Sequence, residues 1–247
     1  MSFIARYGSA RVVAILALVL VLDACSPAPP ATGINDPFEA NNRRVHNVNK
    51  AIDQNLLKPI SGAYGSVADG PIINGIGNFT SNLSLPGIVL NDLLQGNLRD
   101  AFSNTARFTL NSTFGLAGIL DVATQNGLGE RPSDFGETLH VWGAGEGVYV
   151  ELPLIGASTE RDTAGMVVDF FINPVNAFIP APDRYYLLVA KALNKVGSRA
   201  RYADLVDQVL YQSADSYAQN RLVYLQSRRR DLEGQFNLED LEDPYAK

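Results

Sequence analysis

The sequence predicts a mainly α-helical protein, and three observations carry that expectation. Asp36-Pro37-Phe38-Glu39 reads as a helix start, with Asp36 to cap, Pro37 suited to the first turn and Glu39 three residues past the cap. Towards the C-terminus apolar residues recur at helical spacing; Tyr202, Leu205, Val206, Val209 and Leu210 follow i, i+3, i+4, i+7, i+8 without a break. Strand-like alternation is confined to Val148-Tyr149-Val150-Glu151-Leu152.

Ahead of this body, Arg6 and Arg11 form a short basic region and Val12 to Leu22 an uninterrupted apolar run. That run falls well short of the roughly 20 residues a spanning helix needs. It reads as the core of a secretory signal. Leu22-Asp23-Ala24-Cys25 resembles a bacterial lipobox, although Asp23 departs from the small or neutral residue usual at its position. Residues 1–24 are therefore expected to be a lipoprotein signal peptide. Cys25, the single cysteine of the chain, then carries diacylglycerol through a thioether. An ordinary signal peptide followed by a free thiol is the alternative. Ser26 follows, and in the lipoproteins this resembles Ser rather than Asp there favours release to the outer membrane. Residues 25–34 make a Pro-rich linker that holds the body off the lipid.

The first helix is expected from Ala40 to about Leu57, with Val45, Val48, Ile52 and Leu56 at helical spacing and an unusual load of Asn. Asn is a poor helix former, so polar side chains are wanted on one face, either a solvated outer face or a water-lined one. Gly and Pro break residues 58–77 into short helical turns, and Leu85-Pro86-Gly87 reads as a bend. A helix follows from Asn97 to about Thr113, with Phe102, Ala106, Leu110 and Phe114 on one stripe and Asn104, Arg107 and Asn111 elsewhere. Gln125 to Pro132 is a polar loop. Gly143-x-Gly145-x-Gly147 leads into the alternating segment, as a small hairpin or a flexible glycine loop. Ala164 to Ile179 is strongly apolar but short, and broken by Pro174; it is either a buried core helix or an element lying against lipid. Three helices close the body: Asp183–Val196 ended by Gly197, Arg199 to about Gln212, and Ser213 to about Leu232 with Tyr217, Tyr224 and Leu225 inward. Arg228-Arg229-Arg230 suits a helix C-terminus electrostatically, or touches anionic headgroups. Residues 233–247 form an acidic tail that is expected to be disordered.

Composition narrows the function. Lys and Arg number 20 against 26 Asp and Glu, a formal net charge of −6, which argues against nucleic acid as a partner. There is no Gly-x-Ser-x-Gly elbow, no Walker A loop, no His-Glu-x-x-His and no cysteine pair. The chain is expected not to be an enzyme and to need neither cofactor nor metal.

A series of spaced motifs then resembles one family. It opens with Asn35-Asp36-Pro37-Phe38-Glu39, Asn42-Arg43 and Asn47-x-Asn49. Gly77-Asn78-Phe79-x-x-Asn82-Leu83, Asn91-x-x-Leu94-Gln95-Gly96 and Arg107-Phe108-x-x-Asn111-Ser112-Thr113-x-Gly115 continue it. Phe135-Gly136-x-Thr138-Leu139, Trp142-Gly143-x-Gly145-x-Gly147-x-Tyr149 and Arg161-Asp162 complete it. In this order the motifs resemble the MlaA (VacJ) family of outer-membrane lipoproteins.

The resemblance implies a ring-like helical domain over residues 35–232, with amphipathic membrane-embedded helices and a central channel. It implies removal of misplaced phospholipid from the outer leaflet of the outer membrane, from a position on its periplasmic side. The implied partners are membrane phospholipids, a porin trimer and a soluble periplasmic lipid-shuttle protein. Gly143, Gly145 and Gly147 become a candidate gating loop, and Asn42, Asn47 and Asn49 candidates for the channel helix. The chain departs from the pattern at Asn42, Val48, Lys50 and Glu146, where the family often has aromatic residues. Two other functions remain: a lipoprotein that scaffolds a porin without moving lipid, and a lipid hydrolase.

Overall fold

The structure, a computed structural model, describes residues 34–65, 70–175 and 184–233. The expected signal peptide, Cys25, nearly all of the linker and all but the first residue of the tail lie outside the described residues, as does the end of the Ala164–Ile179 stretch.

Ten helices and one hairpin are described. α1 (Glu39–Ile52) passes through a π-turn (Asp53–Leu57) into α2 (Lys58–Gly65). α3 (Pro71–Leu94) is followed by α4 (Leu98–Thr113), a short α5 (Val122–Gln125) and α6 (Phe135–Val141). Strands β1 (Tyr149–Leu152) and β2 (Gly156–Thr159) pair antiparallel, with Tyr149 opposite Thr159 and Leu152 opposite Gly156. α7 (Glu160–Ile172), α8 (Arg184–Arg201), α9 (Ala203–Asp207), a second π-turn (Gln208–Gln212) and α10 (Ser216–Leu232) complete the body.

Several boundaries have a local chemical cause. Asn97, Asp121, Asp134, Thr159 and Asp215 each accept a backbone N–H at the start of a helix. Asp36 does not cap as expected. It accepts instead from Tyr217, Arg221 and Asn42, and α1 begins without a side-chain cap. The expected break at Leu85-Pro86-Gly87 is absent: α3 runs 24 residues with Pro86 inside it. At that point α3 meets the chain after α7, where a Cβ on Gly87 would lie 3.0 Å from the Asn173 amide. α8 likewise runs through Gly197, so the following helix starts later than its apolar spacing suggested. α6 falls in a stretch whose spacing singles out no helix. Its backbone lies so close to α7 that a Cβ on Gly165 would sit 2.3 Å from the Gly136 nitrogen.

Packing contacts return to their starting point. α1 packs on β1, β2 on α7, α7 on α6, and α6 on α3. α3 then packs on α8, α8 on α2, and α2 joins α1 through the π-turn. α4 lies along α3, and α10 reaches β2. This closed circuit gives the expected ring-like connectivity a physical basis.

The distribution of side chains departs from that of a protein folded against water, most clearly on α4. Among the described residues, buried polar side chains outnumber buried apolar ones. The apolar cluster is small, with Tyr149, Tyr217 and Leu225 at its centre. On α4 the buried positions are Ala101, Asn104, Arg107 and Asn111, while Phe102 is 78% exposed. Leu98, Phe114, Leu116, Phe170, Phe171 and Leu188 are exposed too. Each large side chain left in water forgoes about 1.5–3 kcal/mol, so this many on one protein fits an apolar surrounding. Among the described residues no helix is long and apolar enough to cross a membrane.

Candidate functional site

The hairpin is seated on α1 by two of the Asn side chains singled out in the sequence. Asn42 accepts the Glu151 N–H at 3.0 Å and donates to the Tyr149 carbonyl at 3.0 Å. Two helical turns on, Asn49 accepts the Leu154 N–H at 2.8 Å and donates to the Leu152 carbonyl at 2.9 Å. Asn47 points the other way and is exposed. Spacing of seven places Asn42 and Asn49 on one helix face, and that face meets the strand edge that β2 leaves open. Between them His46 is buried, 3.3 Å from Glu151 through Nδ1 and 3.1 Å from Ser216 through Nε2. Tyr149 donates to Glu151, and burial, reinforced by that carboxylate, pushes its phenol far up.

Beside this clamp lies an open groove of about 490 Å³. α1 and its π-turn, the hairpin turn, α8, α9 and the second π-turn surround it. Ile52, Leu56, Leu154, Ile155, Val206 and Leu210 give it an apolar lining. Lys50 and Lys195 also line it. Lys50 Nζ lies 3.4 Å from Ser216 Oγ and 5.4 Å from the centroid of the Tyr211 ring. Lys195 Nζ donates to the Leu154 carbonyl at 2.5 Å. The guanidinium of Arg199, in contrast, is matched by Asp53 at 2.8 and 3.1 Å and by Asp207 at 2.6 Å. Burial and the Asp53 hydrogen bond hold the Tyr211 phenol well above its ordinary range, so it stays a donor to Asp53 at 2.8 Å.

On the other side, between α3, α4, α6 and α7, the interior is a polar lattice. Asn91 donates to Asp169 at 2.8 Å and accepts from Thr138 at 3.1 Å. Asn104 donates to Asp92 at 2.8 Å. Arg228 joins Asp134 and Asp162 at 2.6 and 3.1 Å, which ties the end of α10 to the start of α6 and α7. A second cavity, about 180 Å³, opens between α3 and α4 and is lined by Asn78, Asn82, Arg107, Asn111, Asp121 and Arg131 among others. Asn82 Oδ1 and Arg107 Nε are buried there without a protein partner.

The glycine loop leaves α6 at Gly143, with φ +93°, and enters β1 at Gly147, with φ +74°. Open space surrounds Gly143 and Gly145, whereas a Cβ on Gly147 would lie 2.7 Å from Glu160. Glu146 pairs with Arg229 at 2.8 and 2.9 Å, so one member of the basic triplet holds the loop to α10. Trp142, next to the loop, donates to the Leu94 carbonyl at 3.1 Å and packs edge-on against Phe135.

The structure therefore brings Asn42 and Asn49 together on the hairpin, places Asn49 but not Asn42 in the lining of the groove, and leaves the three glycines out of that lining. Lys195 and the hairpin-turn residues Leu154 and Ile155 were not singled out in the sequence. Asn49 is a candidate on the sequence, and Lys50 stands out there as a departure from an aromatic pattern; both line the groove. Among the described residues no group of three or more His, Cys, Asp or Glu side chains is placed to hold a metal ion.

Comparison with known proteins agrees with this architecture. The chain is 35% identical over 216 residues to the intermembrane phospholipid transport system lipoprotein MlaA of Escherichia coli (strain K12), covering 85% of this chain and 84% of that one. It is 31% identical over 197 residues to the Haemophilus influenzae protein of the same name, covering 78% and 77%. An uncharacterized Rickettsia bellii protein is 29% identical over 201 residues, covering 81% of this chain and 78% of that one. A solved structure from work on the structural basis for maintenance of bacterial outer membrane lipid asymmetry superposes with a TM-score of 0.69 at 32% identity, covering 80% of this chain and 98% of that one. The family model for MlaA lipoprotein matches residues 34–231, so the chain belongs to the MlaA lipoprotein family.

Proposed function

We propose that this chain is an outer-membrane lipoprotein of intermembrane phospholipid transport. It takes phospholipid that has strayed into the outer leaflet and passes it to a soluble periplasmic carrier, which keeps the membrane asymmetric. The observation that carries the reading is the amphipathic groove, apolar along Ile52, Leu56, Leu154 and Ile155 and cationic at Lys50 and Lys195, set in a protein that exposes many large apolar side chains. A phosphate needs polar partners because bare burial costs several kcal/mol, while acyl chains follow apolar surface at about 0.8 kcal/mol per CH₂. Such a site moves a lipid by binding it, with no bond made or broken.

The remaining parts rest on the family resemblance. Cys25 carries the lipid anchor on the periplasmic side of the outer membrane, and a porin trimer and a periplasmic shuttle are the protein partners. Asn42, Asn47 and Asn49 belong to the ring helix and Gly143, Gly145 and Gly147 to the gate. The deciding experiment is surface labelling of outer-leaflet phospholipid in a deletion strain and in the complemented strain. The label is expected to rise on deletion and fall on complementation, and an unchanged label overturns the proposal. Native mass spectrometry separates transport from porin scaffolding, since a scaffold copurifies with porin but without phospholipid.

A further inference from the structure

Charge pairing in the groove is uneven, and the imbalance falls on two side chains. Arg199 is covered by Asp53 and Asp207. Both Asp53 oxygens are occupied by Arg199, and Oδ2 also accepts from Tyr211. Glu151 is taken by His46 on one oxygen and Tyr149 on the other. Among the described residues, both carboxylates that line the groove, Asp53 and Glu151, thus already have partners. Lys50 and Lys195 have none: among the described residues neither ammonium lies in a salt bridge. Their partners are a hydroxyl, a ring face and one backbone carbonyl, all uncharged. An ammonium has three donors, so each lysine keeps donors for a ligand.

We propose that Lys50 and Lys195 make this groove selective for phospholipids of net negative headgroup, the phosphatidylglycerol and cardiolipin class, over zwitterionic phosphatidylethanolamine. The inference rests on the groove being the phospholipid site. Both lipid classes bring a phosphodiester that a lysine ammonium can neutralise through charge-assisted hydrogen bonds. They differ in the group attached beyond the phosphate. An ethanolamine headgroup carries its own ammonium into a site that already holds two, and both oxygens of Asp53 and of Glu151 already accept from neighbours. A glycerol or second phosphate meets no such repulsion. Repulsion between like charges works against the third ammonium, whereas a glycerol hydroxyl can accept from a lysine.

The test uses the full lipidated chain in mild detergent, exposed to vesicles of equal parts phosphatidylglycerol and phosphatidylethanolamine with identical acyl chains. Native mass spectrometry reads the ratio of the two bound lipids. The wild type is expected to carry mostly phosphatidylglycerol. In Lys50→Gln/Lys195→Gln the ratio falls about tenfold towards parity, while in Lys50→Arg/Lys195→Arg, which keeps the charges, it is retained. Lys195 is exposed and Lys50 only half-buried, so an unchanged thermal unfolding temperature verifies the fold of each variant. Equal binding of the two lipids by the wild type, or an unchanged ratio in the glutamine variant, overturns the selectivity and leaves the groove as a lipid site. A wild type that carries neither lipid overturns the groove reading, and the selectivity falls with it.

Discussion

The Asn42 amide accepts the backbone N–H of Glu151 at 3.0 Å in the interior, and through it the first helix completes the edge of the hairpin. Its Nδ2 donates to the Tyr149 carbonyl and, at 2.9 Å, to Asp36 Oδ1, so one side chain joins the chain entry, α1 and β1. Asn42→Ala would strand a buried N–H and a buried carbonyl together. The expected cost is about 2–4 kcal/mol. Asn42→Asp keeps the acceptor, loses the donor and sets a second carboxylate beside Asp36, and it should destabilise too. Urea denaturation in detergent measures both. An alanine variant within about 0.5 kcal/mol of wild type shows that the clamp is not needed.

The exposed aromatic residues of α4 give the opposite expectation. Phe102 is 78% exposed and holds up no part of the interior, so Phe102→Asp should leave the unfolding temperature in detergent nearly unchanged. Its partition onto vesicles should fall about tenfold or more, since a phenyl ring withdrawn from lipid forfeits about 1.5–3 kcal/mol. Co-sedimentation of a variant without the acyl anchor reads this directly. Unchanged partition would place Phe102 outside the membrane contact.

That pair of positions marks how far the sequence could be read. The helix over 98–113 and its two faces follow from spacing, since Phe102 and Phe114 fall on one side and Asn104, Arg107 and Asn111 on the other. Which side faces inward does not follow, because periodicity gives the direction of the apolar stripe and says nothing of what surrounds it. In water the stripe turns in; here Asn104 and Arg107 turn in, towards Asp92, Arg131, Asp121 and Thr124. Pro86 and Gly197 misled for a related reason. Each breaks an isolated helix, but α3 and α8 are held along their length by each other and by α2 and α4. The groove was hidden because Lys50 and Lys195 are 145 residues apart and come together only when the circuit closes.

Buried and half-buried carboxylates divide into two groups with opposite pH signatures. Burial pushes Asp92, Glu137 and Asp169 up, and their hydrogen bonds do not offset it. Burial works the same way on Asp162, but Tyr224, Arg228 and Arg161 outweigh it and hold this carboxyl below its ordinary range. For the first group the native state binds protons more tightly than the unfolded chain, so stability falls as pH rises from the ordinary carboxylate range through their raised folded values. Asp162 contributes stability above the ordinary carboxylate range and loses it as pH falls through its depressed folded value. Asp92→Asn combined with Asp169→Asn is therefore expected to flatten the decline that begins as pH rises above the ordinary carboxylate range. Asp162→Asn should lower stability at neutral pH by about 3 kcal/mol, because Arg161 and Arg228 lose a buried partner. Thermal unfolding across pH in one buffer series checks both signs. A profile unchanged by the double variant would remove Asp92 and Asp169 from the account.

The glycine loop can be divided by the same kind of reasoning. Gly147 is required by geometry: its φ is +74° and a Cβ would meet Glu160 at 2.7 Å. Gly147→Ala is expected to cost about 1–2 kcal/mol for the left-handed backbone alone, and more if Glu160 must shift. Gly145 has open space around it and no such φ, so Gly145→Ala should leave stability within about 0.5 kcal/mol. If the loop gates lipid passage, the two variants must separate. Gly147→Ala then acts through folding and lowers stability and transport together. Gly145→Ala acts through backbone freedom alone and lowers transport at wild-type stability. The Glu146–Arg229 pair supplies the complementary change, because it fastens the loop to α10 at a partly exposed position. Arg229→Gln should speed amide hydrogen exchange from 143 to 147 without affecting exchange in the hairpin, whose N–H groups are held by β2 and by Asn42. Faster exchange spread evenly through loop and hairpin would mean that the two open as one unit. The ion pair would then fasten the whole hairpin rather than a gate.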